Sequence, residues 1–300
     1  MRKYSYKAAV FLSRYLGVWF FRIFSWFVAT GYFFFFPTRV ACSLKLYRAL
    51  FPERNVIHLL YCVWRQYHNF TGVFLDRFIY SEENPAEFTA QGWEYLEEAV
   101  KNKTGAIVVM SHVGNWELAA QRLGGRGLPI LLYIGEKQRE QIERLQKENL
   151  AGGGIKIVST PENEESPFAL LEGLNFLRAG GIVSMTGDRL WGRQSFVSID
   201  FLGYEAKLPA APHLFALLSG APLLTFFVHK KARGKYHITV HEGRRVIAAS
   251  RADRKRAVRE SVQEYATKLA NFARRHPFEV YHFEPFLGGK IEKGEKAKKQ

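Results

Sequence analysis

A chain of 300 residues with 47% hydrophobic content can bury a large core; its length allows one big domain or two small ones, and one domain with an N-terminal attachment fits better. The formal net charge of +15 points to an anionic partner: a phosphate-bearing lipid surface, a nucleic acid or an acidic carrier protein. Cys42 and Cys62 lie in apolar, helical-looking sequence, which indicates no disulfide framework and suits a reducing, cytosolic setting.

The first 52 residues hold eight Lys or Arg and no Asp or Glu, and within them Leu16 to Phe36 carries eleven aromatic residues in 21. Aromatic and basic residues together suit an anionic membrane better than a nucleic-acid groove, so membrane is an expected partner and nucleic acid is not. About 20 apolar residues are needed for a helix to cross the hydrocarbon core, and this stretch is long enough. Its one charge, Arg22, lies near the end and is able to snorkel toward the headgroups. Basic residues flank both ends, so orientation is left open, as is the choice among a span, an interfacial helix and a re-entrant segment. Residues 1–40 are therefore read as a membrane-anchor segment.

Residues 41–84 read as a helical connector, with apolar positions such as Leu44, Leu50, Ile57, Val63 and Phe70 at three- and four-residue spacings. Polar turn sequence at Ser81 to Pro85 separates it from a core domain at 85–287. There the pattern alternates: strands at Gly105–Ser111, Pro129–Ile134, Ile155–Ser159, Gly181–Met185, Pro222–Val228 and Tyr236–Glu242, and helices to about Leu123, at Glu136–Leu150, Pro167–Arg178, Pro212–Leu218 and Arg251–His276. Such alternation predicts an α/β fold with a largely parallel central sheet flanked by helices. The basic tail, 288–300, carries five lysines against two glutamates and reads as a solvated or surface-binding end.

The chemistry concentrates in Ser111-His112-Val113-Gly114-Asn115-Trp116-Glu117. Open α/β sheets bind ligands at the carboxyl ends of their strands, and His112 directly follows one. Gly114 permits a tight turn, Asn115 is a candidate helix cap, and Glu117 falls in the first helical turn, where the dipole favours a carboxylate. A carboxylate against one imidazole nitrogen leaves the other basic, so His112 is the expected general base and Glu117 its orienting partner. The bland alternative is a hydrogen-bonded core histidine beside a helix-start charge. No second His or Cys lies at ligand spacing, so no metal is expected.

Asp188 and Arg189 follow another strand end, on the same sheet edge as His112. Arg189 and Arg193 are candidates to bind substrate phosphate or an oxyanion, the alternative being a structural Asp-Arg pair. Lys137, Arg139 and Arg144 are candidates to face an anionic acceptor or carrier, against a solvated helix face that also bears Glu136, Glu140 and Glu143. Asn115, Asp188, Arg189, Arg193 and Arg144 make up the expected substrate-binding set.

The His112-to-Glu117 box resembles the HX4D/E motif of the glycerophosphate and lysophospholipid acyltransferase superfamily, in particular its bacterial lipid A late acyltransferase branch, which uses Glu. Gly187-Asp188-Arg189, the run Phe201 to Pro209, and Ser219-Gly220-Ala221-Pro222 resemble that branch in order and spacing over roughly residues 85 to 286. The resemblance implies transfer of an acyl chain from an acyl carrier protein or coenzyme A thioester, as co-substrate and with no further cofactor, to a hydroxyl of an anionic lipid at the cytoplasmic face of a bacterial inner membrane. Arg189 departs from the typical lipid A pattern and leaves the acceptor open to a lysophospholipid, an amino-acid lipid or a specialised glycolipid. There is no phosphatidic-acid-type Pro-Glu-Gly-Thr-Arg motif, no G-x-S-x-G elbow, no Walker loop and no G-x-G-x-x-G. A non-catalytic module that binds anionic membrane explains the charge but not the box.

Overall fold

The apolar run Ala106–Met110 forms β2, with all five residues buried. A strand covered on both faces needs side chains that suit two cores at once. Ala106, Val108 and Met110 pack beneath the helices α4 (Glu94–Lys101) and α5 (Trp116–Gly124), while Ile107 and Val109 face the opposite layer. Each large aliphatic side chain so buried contributes roughly 1.5–3 kcal/mol.

The computed structural model describes residues 2–80, 84–135, 155–160, 167–190 and 194–291. Around β2 the other strands are β1 (Glu87–Gln91), β3 (Ile130–Gly135), β4 (Ile155–Thr160), β5 (Ile182–Thr186), β8 (Leu223–Ala232) and β9 (Lys235–Arg244), in the order β1-β9-β8-β2-β5-β3-β4. From β8 to β4 every pairing is parallel; β9 runs antiparallel to β8, and β1 runs parallel to β9. The central sheet is thus mostly parallel, as the alternating pattern predicts. The helix expected at Glu136–Leu150 lies outside the described residues.

On the face away from α4 and α5 lie α7 (Ala211–Ser219) and the long α8 (Arg254–Arg275). A second, antiparallel sheet of β6 (Phe196–Phe201), β7 (Tyr204–Pro209) and β10 (Leu287–Lys290) packs on the same core. Another helix, α6 (Pro167–Arg178), contacts β4 and β5.

At the N-terminus α1 (Arg2–Phe35) packs on α3 (Val56–Ile79): Trp26 sits edge-on to Trp64, and Thr30 Oγ1 is 3.2 Å from His68 Nε2. The chain then turns by 91° into α2 (Pro37–Leu50). Proline at position 37 has no N–H to continue α1, so it starts a new helix instead. Among the described residues no single helix is long and apolar enough to cross a membrane, whereas Trp19–Phe35 and Pro37–Leu50 pass that test together as a bent pair. The expected anchor is therefore an elbow. Phe34 and Phe35 at the elbow are 70% and 81% exposed.

Candidate active site

Parallel pairing sets the site's geometry. Met110 of β2 is in register with Thr186 of β5, so two residues later His112 and Asp188 leave the sheet edge side by side. Gly187 N–H donates to Met110 O at 2.9 Å and keeps the strands together for that extra step. Asp188 Oδ2 then accepts the backbone N–H of His112 at 2.7 Å, and its Oδ1 lies 3.0 Å from His112 Nδ1.

The Asp188 side chain is fully buried and that of His112 is 15% exposed. Burial pushes the Asp188 carboxyl up, but the adjacent His112 charge and hydrogen bonds from His112 and His282 outweigh it and hold the group well below its ordinary value. An ionised carboxylate at Nδ1 draws the imidazole proton to that nitrogen, so Nε2 carries the lone pair.

Glu117 falls, buried, in the first turn of α5 as expected. The carboxylate at His112 Nδ1 is that of Asp188, which sequence reasoning placed on the same sheet edge but did not pair with His112. Asn115 caps α5 as its position suggests, with Oδ1 accepting Leu118 N–H at 3.2 Å. Gly114 makes the turn at φ +55°, where a Cβ would lie 2.0 Å from Val228 O. Only glycine fits both that conformation and that approach.

The C-terminal segment completes the edge. Gly114 N–H donates to Glu279 O at 2.9 Å, Tyr281 N–H donates to His112 O at 3.1 Å, and Val113 bridges Val280. This segment is itself held by Tyr47, whose hydroxyl donates to Pro277 O at 2.9 Å, and by Gln66, which donates to Val280 O. His282 is thereby placed with Nε2 3.2 Å from Asp188 Oδ2, buried and stacked on Phe286. Burial lowers the His282 imidazole, against the raising effect of Asp188. Behind the box, Ser111 Oγ and Tyr265 OH meet at 2.6 Å.

Of the expected substrate-binding residues, Asn115, Asp188 and Arg189 gather at this edge. Arg189 Nη2 donates to Tyr281 O at 2.7 Å, so part of its donor fork secures the C-terminal segment. Arg193 and Arg144 lie outside the described residues. Sequence reasoning missed Tyr265, His282 and Glu279, because nothing local marks the helix around Tyr265 or the segment Pro277–Phe283 as part of a site some 150 or more residues away along the chain. Among the described residues no grouping of three or more His, Cys, Asp or Glu side chains is arranged to hold a metal ion. Chemically, an imidazole oriented by a buried carboxylate is an arrangement suited to proton transfer.

The sequence model of the family described as bacterial lipid A biosynthesis acyltransferase matches residues 67–282. The chain is 25% identical over 143 residues to the phosphatidylinositol mannoside acyltransferase of Mycobacterium tuberculosis, covering 48% of this chain and 44% of that protein. It is 27% identical over 136 residues to the protein of the same name in Mycolicibacterium smegmatis, covering 45% and 43% of the two chains. The match thus spans less than half the length of these relatives.

Proposed function

Because the chain belongs to the bacterial lipid A biosynthesis acyltransferase family, we propose that it moves a fatty acyl chain from an acyl carrier protein or coenzyme A thioester to a hydroxyl of a glycolipid acceptor at the cytoplasmic face of the inner membrane. One observation carries the mechanism: Asp188 grips both the backbone and the ring of His112 at the carboxyl ends of two adjacent strands.

In this reaction His112 Nε2 takes the proton of the acceptor hydroxyl as its oxygen attacks the thioester carbonyl carbon. The tetrahedral intermediate collapses with cleavage of the carbon–sulfur bond. The leaving thiolate takes the proton back from the imidazolium, giving ester and free thiol. Asp188 sets the tautomer and stabilises the imidazolium; His282 holds the second carboxylate oxygen. Proton transfer by a positioned base of this kind contributes about 10²–10⁴-fold in rate. Glu117, buried in the first turn of α5, is a second carboxylate of the box, in a supporting position.

The relatives' names favour a specialised phosphoglycolipid over lipid A itself as the acceptor. The elbow at Phe34–Pro37, with its exposed aromatic rings, gives the enzyme a re-entrant seat in one leaflet beside basic residues such as Arg39, Lys45 and Arg48. Lipid mass spectrometry of cells carrying the active chain or its His112→Ala variant tests the whole reading. A mass gain of one acyl chain is expected only with the active form; equal lipid profiles, or normal turnover by the variant, would overturn it.

A further inference from the structure

Beyond the end of the central sheet, β8 and β9 continue as a hairpin whose tip carries Lys230, Lys231 and Arg233. A cavity of about 360 Å³ opens between this hairpin, α3, the Gly114–Asn115 turn and the segment ending at Tyr281. That volume falls in the range of about 300–1,000 Å³ typical of small-molecule sites. Its lining is unlike that of a pocket for an acyl chain. Asp76, Asn115, Glu279 and Tyr281 form the inner wall, while Lys231 and Arg233 stand exposed at the mouth.

The inner groups form one bonded cluster. Lys230 Nζ donates to Asp76 Oδ2 at 2.5 Å, the Tyr236 hydroxyl donates to the same oxygen, and Lys230 N–H donates to Glu279 Oε2 at 2.9 Å. Asn115, 1% exposed, commits Oδ1 to capping α5; its Nδ2, near the Tyr236 hydroxyl, makes no hydrogen bond of good geometry among the described residues. A buried donor in that state is a cost that a ligand oxygen removes. Burial lifts the Glu279 carboxyl to about 7, partly offset by the Lys230 backbone hydrogen bond and charge. Near neutral pH it therefore both donates and accepts, which matches a hydroxyl.

We propose that this cavity binds a phosphorylated polyol, with its hydroxyls against Asp76, Asn115 and Glu279 and its phosphate against Lys231 and Arg233. The arrangement of charge supports this order: within, Lys230 is engaged by Asp76 beside carboxyl and amide groups, while Lys231 and Arg233 stand at the rim. Gly114 and Asn115 line the cavity only two and three residues after His112, so the ligand is the headgroup of the acceptor. That last step rests on the acyltransferase reading; the binding chemistry does not.

The test titrates the full-length chain in detergent by calorimetry with glucose 1-phosphate, and separately with glucose and with inorganic phosphate. The sugar phosphate should bind more tightly than either fragment. Lys231→Ala with Arg233→Ala, at exposed positions where folding is not at risk, should weaken it by at least about tenfold. Glu279→Gln should weaken glucose and sugar phosphate but not inorganic phosphate. No sugar phosphate binding, or equal binding by inorganic phosphate, overturns the proposal. So does an unchanged affinity in the double variant alongside weaker binding to phosphatidylglycerol vesicles, which assigns the two cations to the membrane surface. His112→Ala should retain the binding while losing acyl transfer; if it keeps both, the catalytic scheme fails and the polyol site stands.

Discussion

Asp188 holds His112 at two points, the backbone N–H through Oδ2 and the ring through Oδ1, so the imidazole is fixed in both position and tautomer. Asp188→Asn preserves size and removes the charge. It should lower kcat by about 10²–10⁴-fold with little change in KM for the donor, because the asparagine no longer selects the Nδ1-protonated ring. Glu117→Gln should cost less. Steady-state kinetics with a labelled acyl thioester decide the matter, and a larger loss for Glu117→Gln would reverse the assignment.

Gly114 supplies a second, structural prediction. A methyl group there would meet Val228 O at 2.0 Å in a left-handed backbone conformation. Gly114→Ala should destabilise the protein by at least about 2 kcal/mol, seen as a lower midpoint in denaturant unfolding. An unchanged midpoint would mean that the turn relaxes freely, and the box geometry would lose its support.

Stability should also report the buried Glu279. Its folded-state value of about 7 lies above the ordinary value of 4.5, so its burial costs nothing below that lower value, where it is protonated in both states. The cost grows as pH rises and is complete above about 7. Glu279→Gln should therefore stabilise the protein at pH 8 relative to the parent, by roughly 3 kcal/mol at most, and not at pH 4.5. The groups around it are Lys230, Asp76, His68, Tyr236 and Tyr281, with Lys231 and Arg233 at the mouth. Thermal melts at the two pH values measure the difference; a loss of stability at pH 8 would show that attraction to Lys230 outweighs burial.

Replacement of the elbow aromatics tests the membrane seat. Phe34→Ser with Phe35→Ser removes two exposed rings and should reduce partitioning onto anionic vesicles by at least about tenfold, given roughly 1.5–3 kcal/mol for each buried ring. Folding should be unaffected in near-ultraviolet circular dichroism. Sedimentation with vesicles reads the effect.

Much of the central sheet was legible because strands buried on both faces are written as unbroken apolar runs, as in Ala106–Met110 and Leu223–Val228. His112 and Asp188 could each be placed at a strand end for the same reason. Their pairing could not, since the adjacency of β2 and β5 is a property of strand order, with β3 and β4 intervening in sequence. The β6–β7 hairpin was hidden too: its turn uses Leu202 at φ +58° before Gly203 at φ +82°, and leucine is a poor signal for a turn that needs two left-handed residues. Asp200 Oδ1, accepting Gly203 N–H at 2.8 Å, helps to hold it. β1 escaped notice because it is a mostly exposed edge strand with no apolar run. The elbow at Pro37 could be read from proline, but not the angle.

The clasp formed by Glu279, Tyr281 and His282 on the box also sets a schedule. Protein chains emerge from the ribosome N-terminus first, at about 5–20 residues per second, so the aromatic elbow is available to the bilayer well before residue 282 exists. His112 waits through some 170 further residues for the segment that braces its turn. The basic, aromatic N-terminal helices are thus complete before the base is set, and the membrane seat proposed for them is able to form ahead of catalytic competence.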